Sequence, residues 1–327
     1  MNAKRLWNEF RCRFSYLLSL FGIERYRHMP TFLSLEPANW CMLRCPQCPV
    51  GMRGNTADAD RQTMSVDLAR CVIDQAAPFA HTIIFHFQGE PLLNKQLPEM
   101  IAYAHSRRLF TMLSTNAQTL TPELAKALLD AGLDRIIISV DGLTQETYAH
   151  YRVGGNLQKA LSGMRAMADL KQGTLMGLPW DFHAPEIVLQ CLYLKSNEHQ
   201  WKLLREQYRS LGADRLEMKT AQFYDFENGH PDMPSRTRYA RYKKGADGLF
   251  HLKHPLRNRC YRLWSGCVVT TDGTVLPCCF DKDHAYPLGK LMDQSLDTIM
   301  HSEAASNFRR AVLRERKHIG ICRNCIG

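Results

Sequence analysis

Six strand-like runs, each followed by a helix-like segment, constrain the fold of this 327-residue chain most strongly. Most of the runs are continuously apolar and β-branched, as expected for parallel strands that are buried on both faces. The runs are TFLSLE (31–36), TIIFHF (82–87), FTMLS (110–114), RIIISV (135–140), IVLQCLYL (187–194) and DRLEMKT (214–220). Six βα units in succession predict an α/β fold whose right-handed crossovers curl the sheet into a partial (β/α)6, TIM-like barrel.

Helix start and stop signals separate these runs. In TPELAKALLDAG, Thr121 is placed to cap a helix, Pro122 occupies the first helical position and Gly132 marks the end. The segment SVDLARCVIDQAA begins in the same way at Ser65. Both segments are therefore predicted to be helices that connect parallel strands.

The βα pattern stops after residue 220. Residues 221–257 are polar, contain Pro and Gly, and are predicted to be a linker or lid. The following CVVTTDGTVLPC predicts a β-hairpin, and a helix over about 294–316 leads to the last two cysteines. We therefore divide the chain into a basic N-terminal helical segment (1–30), the barrel (31–220), the linker (221–257) and a separate small α+β domain (258–327).

The formal net charge of +10 is concentrated near the two ends of the chain. Solvated helix faces explain such charge in most proteins, and an anionic substrate, a nucleic acid or a membrane surface are the alternatives. The sequence contains no recognisable RNA-binding module, which argues against a nucleic acid. Residues 3–22 are predicted to form a basic amphipathic helix that docks on the protein's own body, with a membrane surface as the alternative partner.

Twelve cysteines without an export signal indicate a reducing compartment, the cytoplasm, and metal ligation in place of disulfides. Nine of them fall in three groups, at 41–48, 260–279 and 322–325. Cys12, Cys71 and Cys191 stand alone in apolar contexts and are predicted to be small buried hydrophobes.

Cys41, Cys45 and Cys48 follow the first predicted strand directly, at the end of the barrel where α/β folds bind ligands. Three thiolates in CxxxCxxC spacing can hold three irons of a [4Fe–4S] cluster and leave the fourth iron open, with part of a zinc site as the alternative. The spacing and its place after the first strand resemble the radical SAM superfamily. Met42 departs from the asparagine often found after the first cysteine in that family. The resemblance implies that S-adenosylmethionine (SAM) binds the open iron through its amino and carboxylate groups.

Gln88-Gly89-Glu90-Pro91, at the end of the second run, resembles the GGEP motif of this family with Gln in place of the first glycine. The resemblance implies that Gly89 and Glu90 contact the amino group of the methionine moiety. A plain strand-ending turn is the alternative interpretation of the same residues.

Four polar residues near the ends of later strands match further cofactor-binding positions of the family. The resemblance implies that Ser139 and Asp141 face the ribose or carboxylate of SAM and that Arg152 pairs with the carboxylate. It implies a cofactor contact for Asn197 as well. Each residue could instead be a helix cap or a surface group, since Ser, Asp and Asn favour caps.

Cys260, Cys278, Cys322 and Cys325 resemble the ligand pattern of a twitch domain, a shortened SPASM domain, which holds one auxiliary [4Fe–4S] cluster. Four ligands close the cluster, which suits electron transfer. Cys279 is an alternative to Cys278 because the two are adjacent, and a four-cysteine zinc ribbon is the alternative to the cluster.

The resemblance implies a radical enzyme with SAM and two [4Fe–4S] clusters. A ferredoxin- or flavodoxin-type donor reduces the first cluster, SAM is cleaved, and the 5′-deoxyadenosyl radical abstracts a substrate hydrogen. The auxiliary cluster then accepts an electron, which makes the reaction an oxidation.

We expect a small polar metabolite of the sugar or cyclitol type as the substrate, because the chain leaves no room for a leader-binding domain. The alternatives are a peptide or protein maturase and a non-catalytic metal-bound or nucleic-acid-binding protein. No residue identifies a catalytic acid or base.

Overall fold

Parallel strands built from the predicted runs form the scaffold of the computed structural model, which describes residues 2–54, 60–175 and 184–325. Each of the six runs contains one strand, so all six sequence predictions are confirmed. These strands are β1 (Phe32–Leu35), β2 (Thr82–Ile84), β3 (Phe110–Thr115), β4 (Arg135–Ser139), β5 (Glu186–Tyr193) and β6 (Arg215–Thr220). Shorter strands follow: β7 (Tyr242–Lys244), β8 (Phe250–Leu252), β9 (Gly266–Val269), β10 (Thr274–Leu276) and β11 (Gly289–Lys290).

The helices begin where the sequence places polar caps. Thr121 Oγ1 accepts a hydrogen bond from Leu124 N at 3.2 Å, and Ser65 Oγ accepts one from Leu68 N at 3.2 Å. The helices are α1 (Ala3–Ser19), α2 (Pro49–Met52), α3 (Val66–Ala76), α4 (Leu97–Ser106), α5 (Pro122–Asp130), α6 (Gln145–Tyr151), α7 (Leu157–Leu175), α8 (Trp201–Gln207), α9 (Tyr261–Ser265), α10 (Leu296–Met300) and α11 (Glu303–Glu315). The single helix predicted over 294–316 is thus two helices, because Ser302 caps a new one by accepting from Ala305 N at 3.2 Å.

One compact unit contains both ends of the chain: Met1–Asn39, Arg61–Met112 and Leu256–Gly327. In it β1 lies between β2 and β9 and is parallel to both, while β10 pairs antiparallel with β9 and β11. The segment predicted as a separate C-terminal domain thus shares this compact unit with β1 and β2. All four residues of β9 are buried, and this apolar strand continues the sheet at the edge of β1.

The predicted hairpin lies between β9 and β10 of this unit. Gly273 has φ +84°, a left-handed conformation that glycine adopts without strain, and its N–H donates to Thr270 O at 3.0 Å. The turn therefore forms at the predicted Thr-Asp-Gly sequence.

The second unit comprises Trp40–Asp60 and Leu113–Pro255. Its strands β4, β5 and β6 are parallel, with Arg135 opposite Glu186 and Val188 opposite Arg215. Buried aliphatic side chains such as Ile138 fill the sheet face. The segment predicted as a linker or lid contains the antiparallel hairpin β7–β8.

The predicted N-terminal helix is present as α1, and it docks on its own unit. No helix in the described part of the chain is long and apolar enough to cross a bilayer.

The cysteines outside the groups differ in exposure. None of the twelve, all of which lie in the described ranges, forms a disulfide. Cys12 and Cys191 are buried as predicted, whereas Cys71 on α3 is exposed because it lies on the outer face of that amphipathic helix.

Candidate active site

The three predicted cluster ligands lie on one short loop of the second unit. Cys48 N donates to Cys45 O at 3.1 Å, and Leu43 N donates to Cys41 Sγ at 3.4 Å, so the loop turns back on itself. Helix α2 begins directly after Cys48, with Pro49 at its first position. This local structure gathers the three thiols on one loop.

An ion pair between a partly buried arginine and a buried aspartate lies beside this loop. Arg152 Nε donates to Asp141 Oδ2 at 2.6 Å, and Arg152 Nη1 lies 3.9 Å from Cys45 Sγ. Burial opposes the charge of Arg152, but Asp141 and Cys45 outweigh it and raise the pKa of the guanidinium. Burial raises the pKa of the Cys45 thiol, and the nearby Arg152 opposes that rise. A permanent cation is therefore held within reach of the cysteine loop.

Asn197 holds the main chain at Asp141 in place through side-chain hydrogen bonds. Its Nδ2 donates to Asp141 O at 3.0 Å and to Leu192 O at 2.9 Å, while Oδ1 accepts from Trp201 Nε1 at 2.6 Å. Leu192 N in turn donates to Asp141 Oδ1 at 2.7 Å. The Asn197 amide thus fixes the end of β5 against Asp141, and its predicted contact with SAM stays a prediction.

Ser139 and Glu90 are buried polar residues, and their contacts with SAM also stay predictions. Ser139 ends β4 opposite Gln190 of β5. Glu90 belongs to the first unit, where its Oε1 accepts from Leu92 N at 3.2 Å. Gly89 has φ +64°, a conformation that disfavours a side chain and leaves its backbone open to close approach.

Asn116, which was not among the predicted site residues, lies directly after the end of β3. Asn116 Nδ2 lies 3.4 Å from Cys41 Sγ and 3.3 Å from Met42 Sδ. The next residue, Ala117, has the left-handed φ of +56°, which is unusual for a residue with a side chain. A polar residue at the end of β3 was the available signal.

The segment after β6 packs on the cysteine loop within the second unit. Tyr224 N donates to Gln47 Oε1 at 3.0 Å, and Gln47 Nε2 lies 3.3 Å from His230 Nε2. Phe223 and Tyr242 belong to the same buried cluster as Cys45. Residues 221–255 therefore cover part of the loop, which agrees with a lid better than with a free linker.

The second predicted set, Cys260, Cys278, Cys322 and Cys325, is assembled inside the first unit. Cys325 N donates to Cys322 O at 3.0 Å in the terminal CxxC turn. Burial raises the pKa of Cys278, and neighbouring charge on Cys279, Cys260 and Cys322 raises it further. Burial likewise raises the pKa of Cys322 to about 11, with contributions from Cys260 and Cys325. The thiols of the hairpin and of the chain end are thus close enough to influence one another.

Arg316 lies against this second set with only 3% of its surface exposed. Its Nη1 donates to Arg259 O at 2.6 Å. Burial opposes its charge, but Cys260, Cys325 and Cys322 outweigh that effect and raise the pKa of the guanidinium. The buried arginine is therefore a permanent positive charge beside the cysteines.

Cys278 and Cys279 have different surroundings. Cys279 packs against a buried apolar cluster of Phe87, Val268 and Leu276. Cys278 is the one that interacts electrostatically with other members of the second set. Cys278 as the ligand, with Cys279 as the alternative, stays a prediction.

The donor chemistry of both sets fits iron–sulfur clusters, which cysteine thiolates bind. Among residues 2–54, 60–175 and 184–325, no three Cys, His, Asp or Glu side chains are arranged to hold a metal ion. Each cysteine of a [4Fe–4S] cluster binds a different iron, whereas a zinc site requires its ligands to converge on one ion.

Comparison with known families gives two matches to this chain. The radical SAM superfamily matches residues 35–184, and an iron–sulfur cluster-binding domain, SPASM, matches residues 260–326. Together they confirm the predicted resemblance. SAM and a [4Fe–4S] cluster belong to the first domain, and additional iron–sulfur chemistry belongs to the second.

A curated relative and two solved structures extend the comparison. The PqqA peptide cyclase of Ruegeria pomeroyi is 29% identical over 318 residues, which cover 90% of this chain and 79% of the relative. The structure of BtrN with AdoMet and 2-DOIA has a TM-score of 0.55 and 18% identity, covering 93% of this chain and 95% of that one. Streptococcus suis SuiB bound to precursor peptide SuiA has a TM-score of 0.64 and 12% identity, covering 98% and 75%. These structures confirm the predicted α/β, partial-barrel fold class.

Proposed function

The chain is a radical SAM enzyme with a C-terminal SPASM-type iron–sulfur domain, and we propose that its substrate is a peptide. The observation that carries the proposal is the 29% identity to a PqqA peptide cyclase along 90% of this chain. That similarity runs through both domains. It favours the alternative of the sequence analysis over the sugar or cyclitol substrate that we expected first.

In this proposal Cys41, Cys45 and Cys48 hold the cluster that binds SAM. When bound, SAM supplies the 5′-deoxyadenosyl radical that removes a substrate hydrogen. Asp141 neutralises Arg152 and fixes its direction through the 2.6 Å ion pair, and the guanidinium presents its remaining N–H groups to a carboxylate. The chain's own residues thus orient a polar cofactor beside the cysteine loop.

Radical chemistry also requires the exclusion of water, and the lid-like segment 221–255 contributes to it. Phe223, Phe226 and Tyr242 pack with Leu43 of the cysteine loop. An apolar cover around a reactive site limits the access of water and side reactions.

Cys260, Cys278, Cys322 and Cys325 would hold the auxiliary cluster, and the chemistry that such a cluster would supply is electron acceptance. A positive charge such as Arg316 favours the more reduced, more negative state of a neighbouring cluster. A net charge of +10 also suits an acidic ferredoxin- or flavodoxin-type electron donor in the cytoplasm.

Strand β6 supports a peptide substrate in a second way. It is the last strand of the sheet, hydrogen-bonded to β5, and its residues are only partly buried. The edge of a sheet can bind an extended peptide by main-chain hydrogen bonds, with side chains providing specificity. A small cyclitol has no main chain that could use such an edge.

The test identifies the substrate class before the substrate itself is known. The anaerobically reconstituted enzyme, with SAM and dithionite, is incubated with extracts of cells grown in deuterated medium. The extract is first separated into a peptide fraction and a small-metabolite fraction, and deuterium in 5′-deoxyadenosine is measured by mass spectrometry.

We expect deuterium transfer from the peptide fraction, and loss of that transfer after protease treatment. Transfer from the metabolite fraction alone would contradict the peptide proposal and restore the metabolite hypothesis. A matched control replaces Cys45 by Ala, which removes a proposed cluster ligand and should abolish transfer from both fractions.

A further inference from the structure

The apolar face of α1 points away from the unit that holds the helix. Trp7, Phe10 and Phe14 are 59%, 58% and 48% exposed. The buried residues of the same helix are Arg5, Asn8, Cys12, Ser15 and Ser19. This is the reverse of an ordinary surface helix, which buries its apolar face and exposes its polar one.

Polar contacts hold the helix in this orientation. Arg5 Nε donates to Ala77 O and Arg5 Nη2 to Arg107 O, both at 2.8 Å. Asn8 and the backbone of Met29 exchange two hydrogen bonds of 2.9 Å. A rotation that buried the aromatic side chains would break these bonds and leave buried carbonyl groups without partners, which is costly. The outward direction of the apolar face is therefore fixed by the protein itself.

The exposed apolar residues form one continuous stripe. At about 100° per residue, those on the helix fall within an arc of roughly 100°. The following turn extends the surface with Phe21, which is 76% exposed. We define the α1 stripe as Leu6, Trp7, Phe10, Phe14, Leu17 and Phe21.

Basic residues border the α1 stripe on both sides. Arg13 lies along one border, and Lys4 and Arg11 lie along the other; all three are exposed. The two acidic groups nearby are already paired: Glu9 binds Arg13 at 2.7 Å and Glu24 binds Arg309 at 2.8 Å. Because Glu9 also cancels the charge of Arg13, the net positive charge lies on the border with Lys4 and Arg11, and this border attracts negative charge.

We propose that α1 binds the surface of an anionic membrane, with the α1 stripe at the boundary between headgroups and acyl chains. An apolar face with Trp, Phe and Leu between basic borders is the pattern of a helix that lies in the membrane plane. The charges favour this occupant over a second copy of the chain. Two copies packed stripe to stripe would bring their basic borders together, whereas anionic lipid neutralises them.

The test is co-sedimentation of the full-length reconstituted enzyme with phosphatidylcholine vesicles, with and without phosphatidylglycerol. The test variant combines Trp7→Ala, Phe10→Ala and Phe14→Ala, which alter exposed side chains only. Met292→Ala, at a 73% exposed residue, is the matched control for loss of an exposed apolar group. A Lys4→Gln, Arg11→Gln variant tests the basic border.

We expect binding to the anionic vesicles that weakens as salt is added. The triple variant should bind roughly a hundredfold more weakly and the charge variant roughly tenfold, while the control binds like the wild type. Reductive SAM cleavage in solution should be unchanged in all variants. Equal sedimentation of wild type and triple variant, or no binding to anionic vesicles, would overturn the proposal. Self-association that the triple variant abolishes, without vesicle binding, would overturn it in favour of a second copy.

Discussion

The two cysteine sites surround their thiols with positive charge in different ways. At the three-cysteine loop, Arg152 is paired with Asp141 at 2.6 Å, so the two charges largely cancel and leave a directed, polar surface. At the four-cysteine site, Arg316 donates to the Arg259 carbonyl and keeps its full charge beside the thiols. A neutralised, oriented pair suits recognition of a polar cofactor, whereas a cation that faces the thiols themselves suits electron acceptance. The difference suggests that charge, as well as cysteine count, separates the two roles.

Loss of a ligand from the three-cysteine loop should have the largest effect. Cys45→Ala is expected to reduce 5′-deoxyadenosine formation to background, since this thiol is a proposed ligand of the SAM-binding cluster. Iron content should fall by about four atoms of about eight per chain. Cys71→Ala, at an exposed cysteine, is the control and should change neither quantity.

The neighbouring residues Cys278 and Cys279 provide a test of the four-cysteine site. Cys278→Ala should lose the auxiliary cluster and substrate oxidation, yet still cleave SAM, because the three-cysteine loop is intact. Cys279→Ala should keep both clusters, since Cys279 packs in an apolar environment. Iron analysis checks both variants, and loss of iron from Cys279→Ala with retention in Cys278→Ala would reverse the assignment.

The ion pair can be tested without removing a cysteine. Asp141→Asn keeps the shape but leaves Arg152 without its charged partner and weakens the bond to Leu192 N. We expect SAM to bind roughly ten- to a hundredfold more weakly. Breaking one side of a buried ion pair costs about 3–5 kcal/mol, and part of this free energy is lost from SAM binding. Asp74→Asn disrupts an exposed pair with Arg107 at 2.9 Å and should leave SAM affinity unchanged. Equilibrium binding of SAM to the reconstituted enzyme provides the measurement.

The smallest effect is expected from substitution of Arg316, which lies beside the four-cysteine site. Arg316→Gln should lower the midpoint potential of the auxiliary cluster by some tens of millivolts, since about 59 mV corresponds to a tenfold change for one electron. Arg316→Lys retains the charge and should recover part of the shift. A redox titration followed by electron paramagnetic resonance (EPR) provides the value. An unchanged potential in Arg316→Gln would show that this charge does not tune the cluster.

Local signals predicted most of the scaffold. All six apolar runs contain strands, and the caps at Thr121 and Ser65 form as expected. These features depend on residues that are close together in the chain, so a local sequence pattern predicts them. The parallel pairing of β9 with β1 joins segments more than two hundred residues apart, and no local pattern marks it.

The candidate sites likewise contain features that a local sequence pattern predicted and contacts that it did not. Cysteine spacing and the family resemblance predicted both thiol sets, but not the contact of Asn116 with Cys41 or the position of Arg316. The helix α1 was predicted as amphipathic, and its composition does not reveal which face docks. Only the partners of Arg5 and Asn8 in the folded unit decide that the polar face is buried.

EPR of two complementary variants tests the central claim most directly, namely that one cluster is open to SAM and the other is closed. One variant lacks Cys41, Cys45 and Cys48, and the other lacks the second set: Cys260, Cys278, Cys322 and Cys325. Spectra of the dithionite-reduced proteins are recorded with and without SAM. We predict that SAM changes the spectrum only in the variant that retains the three-cysteine loop. A SAM-dependent change in the variant that retains only the second set would contradict it.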